Sequence, residues 1–263
     1  MPPKNKFPIV TAVLPCYNHG LWVQDALNSI INQTYKNLRI VFIDDASTDD
    51  SFEKALELCN NLQDVQIKNN GEPRLLKQSR IQNFPIILAK FSENRGPSAA
   101  RNYGIRTAWE DTDYFALLDT DDMYSDSNKI SKSINIFNEF ENLIGVIYSD
   151  YITVNKITNL ECREFKQPYS RQLLLKECIV NCNSVVSKNV FEKCGLFDET
   201  ISLCEDFDMW LRASEKFIFY HIPEALIKIR VGGNSTSIVR SKEDWEKNYS
   251  YIFNKLKNRV EHG

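Results

Sequence analysis

Short apolar runs alternate with helix-like stretches through the first half of the chain, and this alternation constrains the fold more than any other feature. The runs Ile9 to Leu14, Arg39 to Ile43, Ile86 to Phe91 and Tyr114 to Leu118 are typical of buried strands. Strands that alternate with helices favour a mostly parallel, doubly wound sheet. Ligands of such sheets bind beyond the carboxyl ends of the strands. We therefore predict an α/β fold with its binding site at those ends.

An acidic run, Asp119-Thr120-Asp121-Asp122, follows the last of these strands. Carboxylates crowded at the end of a buried strand repel one another and are costly to desolvate unless a cation is present. Hard oxygen ligands suit Mg²⁺ or Mn²⁺, especially where a substrate phosphate completes the coordination. The alternative is a polar turn in which Asp122 or Ser125 caps the next helix. Taken alone, the run favours the turn.

Composition excludes several classes of function. The net charge of -3 gives no support for non-specific binding to nucleic acid. The seven cysteines contain no Cys-x-x-Cys pair, which favours scattered thiols in a reducing compartment over disulfides. With only three histidines, a zinc site is also disfavoured. No apolar run is long enough to span a bilayer and no signal-type core follows the N-terminus, so we expect a cytoplasmic protein.

The second half is less regular and predicts a smaller mixed region. We divide the chain into residues 1–125, 126–240 and 241–263. The last segment has apolar side chains at helical spacing from Trp245 to Val260, which predicts an amphipathic helix. Such a helix can dock on the domain or face a partner or membrane surface, and docking is the more frequent case. The polar segment from Asp64 to Phe84 interrupts the strand–helix rhythm and is long for a connection.

Five motifs then stand in a familiar order. They are Pro15-Cys16-Tyr17-Asn18, Asp44-Asp45-Ala46-Ser47-Thr48-Asp49, Asn94-Arg95-Gly96-Pro97-Ser98-Ala99-Ala100-Arg101-Asn102, Asp119-Thr120-Asp121-Asp122 and Glu205-Asp206-Phe207-Asp208-Met209-Trp210. Each motif alone is weak. Together, in this order and each at a strand end or helix start, they closely resemble family-2 glycosyltransferases with the GT-A fold.

The resemblance implies a Rossmann-like sheet in which residues 1–125 bind the nucleotide sugar and residues 126–240 bind the acceptor and supply the base. It implies an inverting, metal-dependent, hexosyltransferase-like enzyme that uses Mn²⁺ or Mg²⁺ and a nucleotide diphosphate sugar, with UDP favoured. The acceptor would be a hydroxyl of a glycan, a lipid-linked sugar or a protein, in polysaccharide, glycolipid or glycoprotein assembly. The resemblance is compatible with a protein that contacts a membrane peripherally and with one that does not.

The resemblance also implies a role for each motif. Asp121 would hold the metal, and Asp119 would contact the nucleotide ribose or the metal. Asp206 would be the catalytic base, and Glu205 would support Asp206 or the acceptor. The remaining donor contacts would come from Pro15, Tyr17, Asp44, Asp45, Arg101 and Thr120. Without the series, simpler interpretations hold: Tyr17 packs, Asp44 and Asp45 cap a helix, Arg101 lies on a solvated face, and the acids at 205 and 206 favour a helix N-terminus. Trp210, one helical turn after Asp206, is predicted to wall the site.

The chain departs from the family pattern in ways that narrow the prediction. No histidine occurs near Arg230-Val231-Gly232-Gly233-Asn234-Ser235, where many members carry a metal-binding histidine, so the third metal ligand is undetermined. The Gln-x-x-Arg-Trp signature of processive members is absent, which favours addition of a single sugar. The non-enzyme alternative is an inactive sugar-nucleotide-binding or scaffolding protein of the same fold. A sugar nucleotidyltransferase or a dinucleotide oxidoreductase would need a glycine-rich loop that the chain lacks.

Overall fold

A computed structural model of the chain describes residues 7–64, 75–140, 143–232 and 241–262. The first half has strands and helices in the predicted alternation. Its elements are β1 (Val10–Cys16), α1 (Val23–Ile31), β2 (Leu38–Asp44), α2 (Ser51–Glu57), β3 (Asn60–Asp64), β4 (Leu75–Ile81), β5 (Phe84–Lys90), α3 (Pro97–Thr107) and β6 (Tyr114–Leu117).

The second half has shorter helices and one long pair of strands. Its elements are β7 (Met123–Tyr124), α4 (Lys129–Glu139), β8 (Ile144–Asn155), β9 (Glu161–Glu164), α5 (Arg171–Leu174), β10 (Val185–Ser187), α6 (Lys188–Cys194), α7 (Glu205–Ala213), β11 (Ile218–Val231) and α8 (Lys242–His262). His221 and Ile227 both belong to the single long strand β11.

All the strands that the structure describes join one sheet in the order β3-β4-β5-β2-β1-β6-β10-β8-β11-β7, with β9 paired to β8. The central strands β5, β2, β1 and β6 are parallel to one another. Strand β10 runs antiparallel to both β6 and β8, and β4 runs antiparallel to β5. The predicted α/β fold with a parallel centre is therefore confirmed, and antiparallel strands on both sides make the whole sheet mixed.

The register of the parallel strands brings the motifs to one edge of the sheet. Strand β1 pairs with β2 residue by residue, and the last pair is Cys16 with Asp44. On its other side, Val13 of β1 pairs with Leu117 of β6. Every residue of β1 is buried, because helices cover both faces of the sheet. The polar residues that follow these strands consequently meet beyond the carboxyl ends of the sheet.

The segment from Asp64 to Phe84 is in part an extension of the sheet. Strand β4 pairs with β5 from Leu75–Lys90 to Ile81–Phe84, and β3 pairs with β4. Residues 69–73 of this segment lie outside the described residues.

Helix α8 contacts the second half of the domain. Ile252 is fully buried, and the rings of Tyr249 and Phe253 meet Phe207 edge-on. The Lys255 ammonium lies 2.9 Å from Asp208 Oδ1 on α7. The rings of Tyr249 and Phe253 therefore pack on α7. Among the described residues, no helix combines the length and the apolar character that crossing a bilayer requires.

We predict that Ile252→Ala lowers the free energy of unfolding by roughly 2–4 kcal/mol, because the substitution leaves a cavity between α8 and the core. Tyr251→Ala serves as the control, because this neighbouring side chain is 46% exposed. It should lower the free energy of unfolding by less than about 1 kcal/mol. Denaturant unfolding of both variants makes the comparison. Equal losses would contradict docking through the face that carries Ile252.

Candidate active site

The four residues after β6 point in different directions. The Asp119 carboxylate receives a hydrogen bond from Arg101, and its backbone N–H donates to Asn183 Oδ1. The Thr120 hydroxyl donates to the carbonyl of Pro15 at 2.9 Å, which ties β6 to the end of β1. The Asp121 side chain is 20% exposed, and its Oδ2 lies 3.0 Å from the Lys156 ammonium. Asp119 and Asp121 thus lie on either side of a fixed threonine, with their carboxylates near the strand ends.

Asp122 has a structural role in this run. Its Oδ1 accepts the N–H of Arg230 on β11 at 2.9 Å, and its Oδ2 accepts the side-chain N–H of Asn183 at 2.6 Å. Burial, together with the nearby Asp121 and Asp119 carboxylates, raises the pKa of Asp122 well above its ordinary value. Its carboxylate is therefore committed to β11 and Asn183 rather than to a helix cap, which leaves Asp119 and Asp121 as the acids available to a ligand.

Arg101 connects the end of β6 with the start of α7. Its side chain on α3 is only 3% exposed, so the guanidinium is not on a solvated face. One Nη lies 2.7 Å from Asp119 Oδ1, and the other lies 2.6 Å from Glu205 Oε1. Pairing with carboxylates offsets the cost of burying the charge of an arginine. This bridge joins two carboxylates that are far apart in sequence and brings α7 to the end of β6.

Asp206 lies on the first turn of α7, next to Glu205. Helix α7 follows Cys204, which has a φ of 60°, so the chain turns sharply into the helix. Burial, reinforced by the Glu205 carboxylate and opposed by Arg101, raises the pKa of Asp206 to about 7. Its Oδ1 accepts the N–H of Phe207 at 2.8 Å. A half-buried carboxylate with a pKa near neutrality is suited to exchanging a proton with a bound group.

The residues predicted to contact the nucleotide lie after β1 and β2. Tyr17 is 43% exposed, so its ring is not packed into the core. Asp45 accepts the N–H groups of Arg95 and Gly96 at 2.7 and 2.8 Å, and burial raises its pKa to about 6. Asp44 is fully buried and accepts the N–H of Ser47 at 2.6 Å. Both acids brace the loops around the crevice, and their contact with a base stays a prediction.

Trp210 does not wall the site, and the prediction that it does is wrong. The ring is fully buried and meets Phe197 and Phe219 edge-on. The face of α7 that carries Trp210 packs against the core. Asp206, one helical turn earlier, lies near the mouth of the crevice. Spacing along a helix gives the shared face but not the depth at which each residue lies.

Three residues close to Asp121 were not predicted as site residues from the sequence. Lys156, in the turn after β8, places its ammonium 3.0 Å from Asp121 Oδ2. Arg230 donates to the backbone carbonyl of Asp121 at 2.9 Å and to Asp25 at 2.6 Å. His19 directly follows the Pro15–Asn18 motif, which was the one available signal, and its Nε2 lies 3.9 Å from Asp121 Oδ2. Lys156 and Arg230 come close only through the pairing of β8 with β11.

The acidic residues fit a cation that is shared with a substrate. Within residues 7–64, 75–140, 143–232 and 241–262, no three His, Cys, Asp or Glu side chains form a protein cage for a metal. Mg²⁺ commonly binds through one or two carboxylates plus substrate phosphates and water, and Mn²⁺ accepts the same oxygen ligands. Asp121 and Asp119 provide such a pair. The residue that replaces the missing histidine near Arg230 is not assigned, because residues 233–240 lie outside the described part of the chain.

Comparison of the sequence with known proteins gives one consistent family. The sequence profile described as "Glycosyl transferase family 2" matches residues 11–82 and 69–195. An uncharacterized glycosyltransferase of Rickettsia prowazekii is 29% identical over 259 residues, which are 95% of this chain and 73% of the relative. Chondroitin synthase of Pasteurella multocida is 25% identical over 256 residues, which are 97% of this chain and 24% of the synthase.

Solved structures share the fold at low sequence identity. TarS of S. aureus, residues 1–349 in complex with UDP-GlcNAc, has a TM-score of 0.68 and 16% identity, and the match covers 93% of this chain and 65% of TarS. The mannosyltransferase PcManGT of Pyrobaculum calidifontis, in complex with GDP-Man and Mn²⁺, has a TM-score of 0.64 and 15% identity, covering 97% of this chain and 65% of that enzyme. This chain therefore spans less than two thirds of each of these solved chains.

We predict that Arg101→Met lowers the free energy of unfolding by roughly 3–5 kcal/mol, because two half-buried carboxylates lose their shared cation. Arg106→Met on the same helix is the matched control. Arg106 is 61% exposed and lies 3.6 Å from Glu199, so its loss should cost less than about 1 kcal/mol. The measurement is denaturant unfolding at pH 7. A loss for Arg101→Met no larger than that of the control would show that the bridge does not hold α7 in place.

Proposed function

The chain belongs to glycosyl transferase family 2, and from this premise we propose that it transfers one sugar from a nucleotide diphosphate sugar to an acceptor hydroxyl with inversion. The observation that carries the proposal is the Arg101 bridge. It holds Asp119, at the predicted donor side, and Glu205, next to the predicted base, within one hydrogen bond of the same guanidinium. A donor bound at the acidic run therefore has its sugar directed toward Asp206.

The donor in this proposal is a UDP-sugar bound at the ends of β1, β2 and β6. The exposed ring of Tyr17 is available for stacking on the base, and the Pro15 carbonyl, fixed by Thr120, shapes the adjoining wall. Asp45 is the first choice for a hydrogen bond from the uracil imide, with Asp44 second because it is more deeply buried. The TarS complex with UDP-GlcNAc supports uridine as the nucleoside, since the fold is shared.

Asp121 and Asp119 would hold the divalent cation against the donor diphosphate. When bound, Mn²⁺ or Mg²⁺ neutralises the charge that develops on the leaving nucleoside diphosphate. Asp121 is the first choice because its partner Lys156 is partly exposed, whereas the Arg101 partner of Asp119 is almost fully buried. The Mn²⁺ complex of PcManGT supports a metal in this fold.

Asp206 acts as the general base in this proposal. It takes the proton of the acceptor hydroxyl as the hydroxyl oxygen attacks the anomeric carbon opposite the diphosphate, which produces inversion. A pKa of about 7 places a large fraction of Asp206 in the deprotonated form at neutral pH while it remains a strong enough base. Glu205, held by Arg101, orients the first turn of α7 and so positions its neighbour. The acceptor is a hydroxyl of a glycan, a lipid-linked sugar or a protein, and one sugar is added per encounter.

We predict that chelation of divalent cations weakens binding of UDP by at least about tenfold, since the acidic run repels a diphosphate unless a cation intervenes. Asp121→Ala should remove the difference between Mn²⁺ and chelator. Asp111→Ala, at a side chain that is 69% exposed, is the control and should keep that difference. Titration calorimetry with UDP measures all three proteins. Equal wild-type affinity in Mn²⁺ and in chelator would contradict the metal site.

We predict that Asp206→Asn lowers transfer by roughly two to four orders of magnitude with nearly unchanged affinity for UDP, as expected for a lost general base. Because the base must be deprotonated, wild-type turnover should fall about tenfold per pH unit below an apparent pKa near 7. The variant should lack this acidic limb. The pH profile of turnover at saturating donor makes the test, and an unchanged limb in the variant would assign it to another group.

A further inference from the structure

Lys156 occupies an unusual position against the acid that the cation needs. Its ammonium lies 3.0 Å from Asp121 Oδ2 and 4.5 Å from the centre of the Trp22 ring. Its side chain is only 10% exposed, so the charge is held in place rather than solvated. Its backbone N–H donates to the carbonyl of Val231 at 2.9 Å, which fixes the turn after β8 against β11.

The other basic groups near Asp121 are arranged differently. Arg230 directs its guanidinium at the Asp121 backbone carbonyl and at the Asp25 carboxylate, so it leaves the Asp121 carboxylate untouched. His19 is farther from Oδ2, at 3.9 Å, and its Nδ1 lies 2.8 Å from the Thr120 hydroxyl. Lys156 is therefore the cation in closest contact with the Asp121 carboxylate among the residues that the structure describes.

A divalent cation on Asp121 would face the Lys156 ammonium at short range. Two like charges that share one carboxylate in a partly buried site repel strongly. The lysine stem is long and flexible, and the Trp22 ring offers the ammonium a favourable surface beside the crevice. A donor diphosphate at Asp121 would place its oxygens near that surface. The same ammonium can thus pair with Asp121 in one state and with a diphosphate in the other.

We propose that Lys156 competes with the divalent cation for Asp121 and pairs with the donor diphosphate once it leaves that carboxylate. This inference rests on the proposed function, because it needs a diphosphate at the acidic run. It makes Lys156 a binding residue for the donor and gives the site a cation that belongs to the chain. The nucleotide therefore still binds weakly when no metal is present, and this weak binding depends on Lys156.

The test uses Lys156→Met, which keeps the length of the side chain and removes its charge, and Lys156→Arg, which keeps a charge. Lys228→Met is the matched control, because Lys228 lies on β11 and pairs with Glu161 instead of Asp121. Binding of Mn²⁺ alone is measured by electron paramagnetic resonance. Binding of UDP in excess chelator is measured by titration calorimetry, and thermal melting verifies that each variant is folded.

The proposal predicts two opposite shifts in Lys156→Met. Affinity for Mn²⁺ should rise roughly tenfold, because a competing cation is gone, and affinity for UDP in chelator should fall roughly tenfold. Lys156→Arg and Lys228→Met should stay within about twofold of wild type in chelator. If Lys156→Met changes neither affinity while wild type binds UDP with Mn²⁺, the role of Lys156 is refuted and the proposed function stands. If wild type binds no UDP under either condition, both are refuted.

Discussion

The buried guanidinium of Arg101 is the interaction on which the site depends. It lies in α3, which packs against β1 and β2, and it pairs with one carboxylate after β6 and one at the start of α7. Without a cation at this point, Asp119 and Glu205 would repel each other across the crevice. The bridge therefore sets the distance between the end of β6 and the helix that carries Asp206. Catalysis of a displacement needs that distance to be fixed before the substrates bind.

The sheet provides the second constraint. Parallel strands β1, β2 and β6 end together, so the loops after them share one crevice. Antiparallel β10 then reverses the chain direction and lets β8 and β11 continue the sheet beyond β6. The turn after β8 and the end of β11 reach the same crevice from the other side, where Lys156 and Arg230 meet Asp121. Docking of α8 on α7 completes the support behind Asp206.

The sequence predicted the central strands and the acidic residues at their ends, because these signals are local. An apolar run followed by Asp119 or Asp44 identifies a strand end without knowledge of the rest of the chain. The partners of Arg101 lie 18 and 104 residues away, and that pairing depends on how α7 packs. Lys156 and Asn183 stand in no motif and reach the acidic run only through strand pairing. Trp210 was misplaced for a related reason, since its burial is set by Phe197 and Phe219 on other elements.

The proposed reaction is a direct displacement at the anomeric carbon, with Asp206 as base on the side opposite the diphosphate. The most direct measurement is the anomeric configuration of the first-formed sugar product, followed by proton NMR during turnover of the α-linked UDP-sugar that the protein consumes. A β-configured product, formed before mutarotation, is the result that the account predicts. An α-configured first product would contradict it, because retention requires a different arrangement of groups around the anomeric carbon.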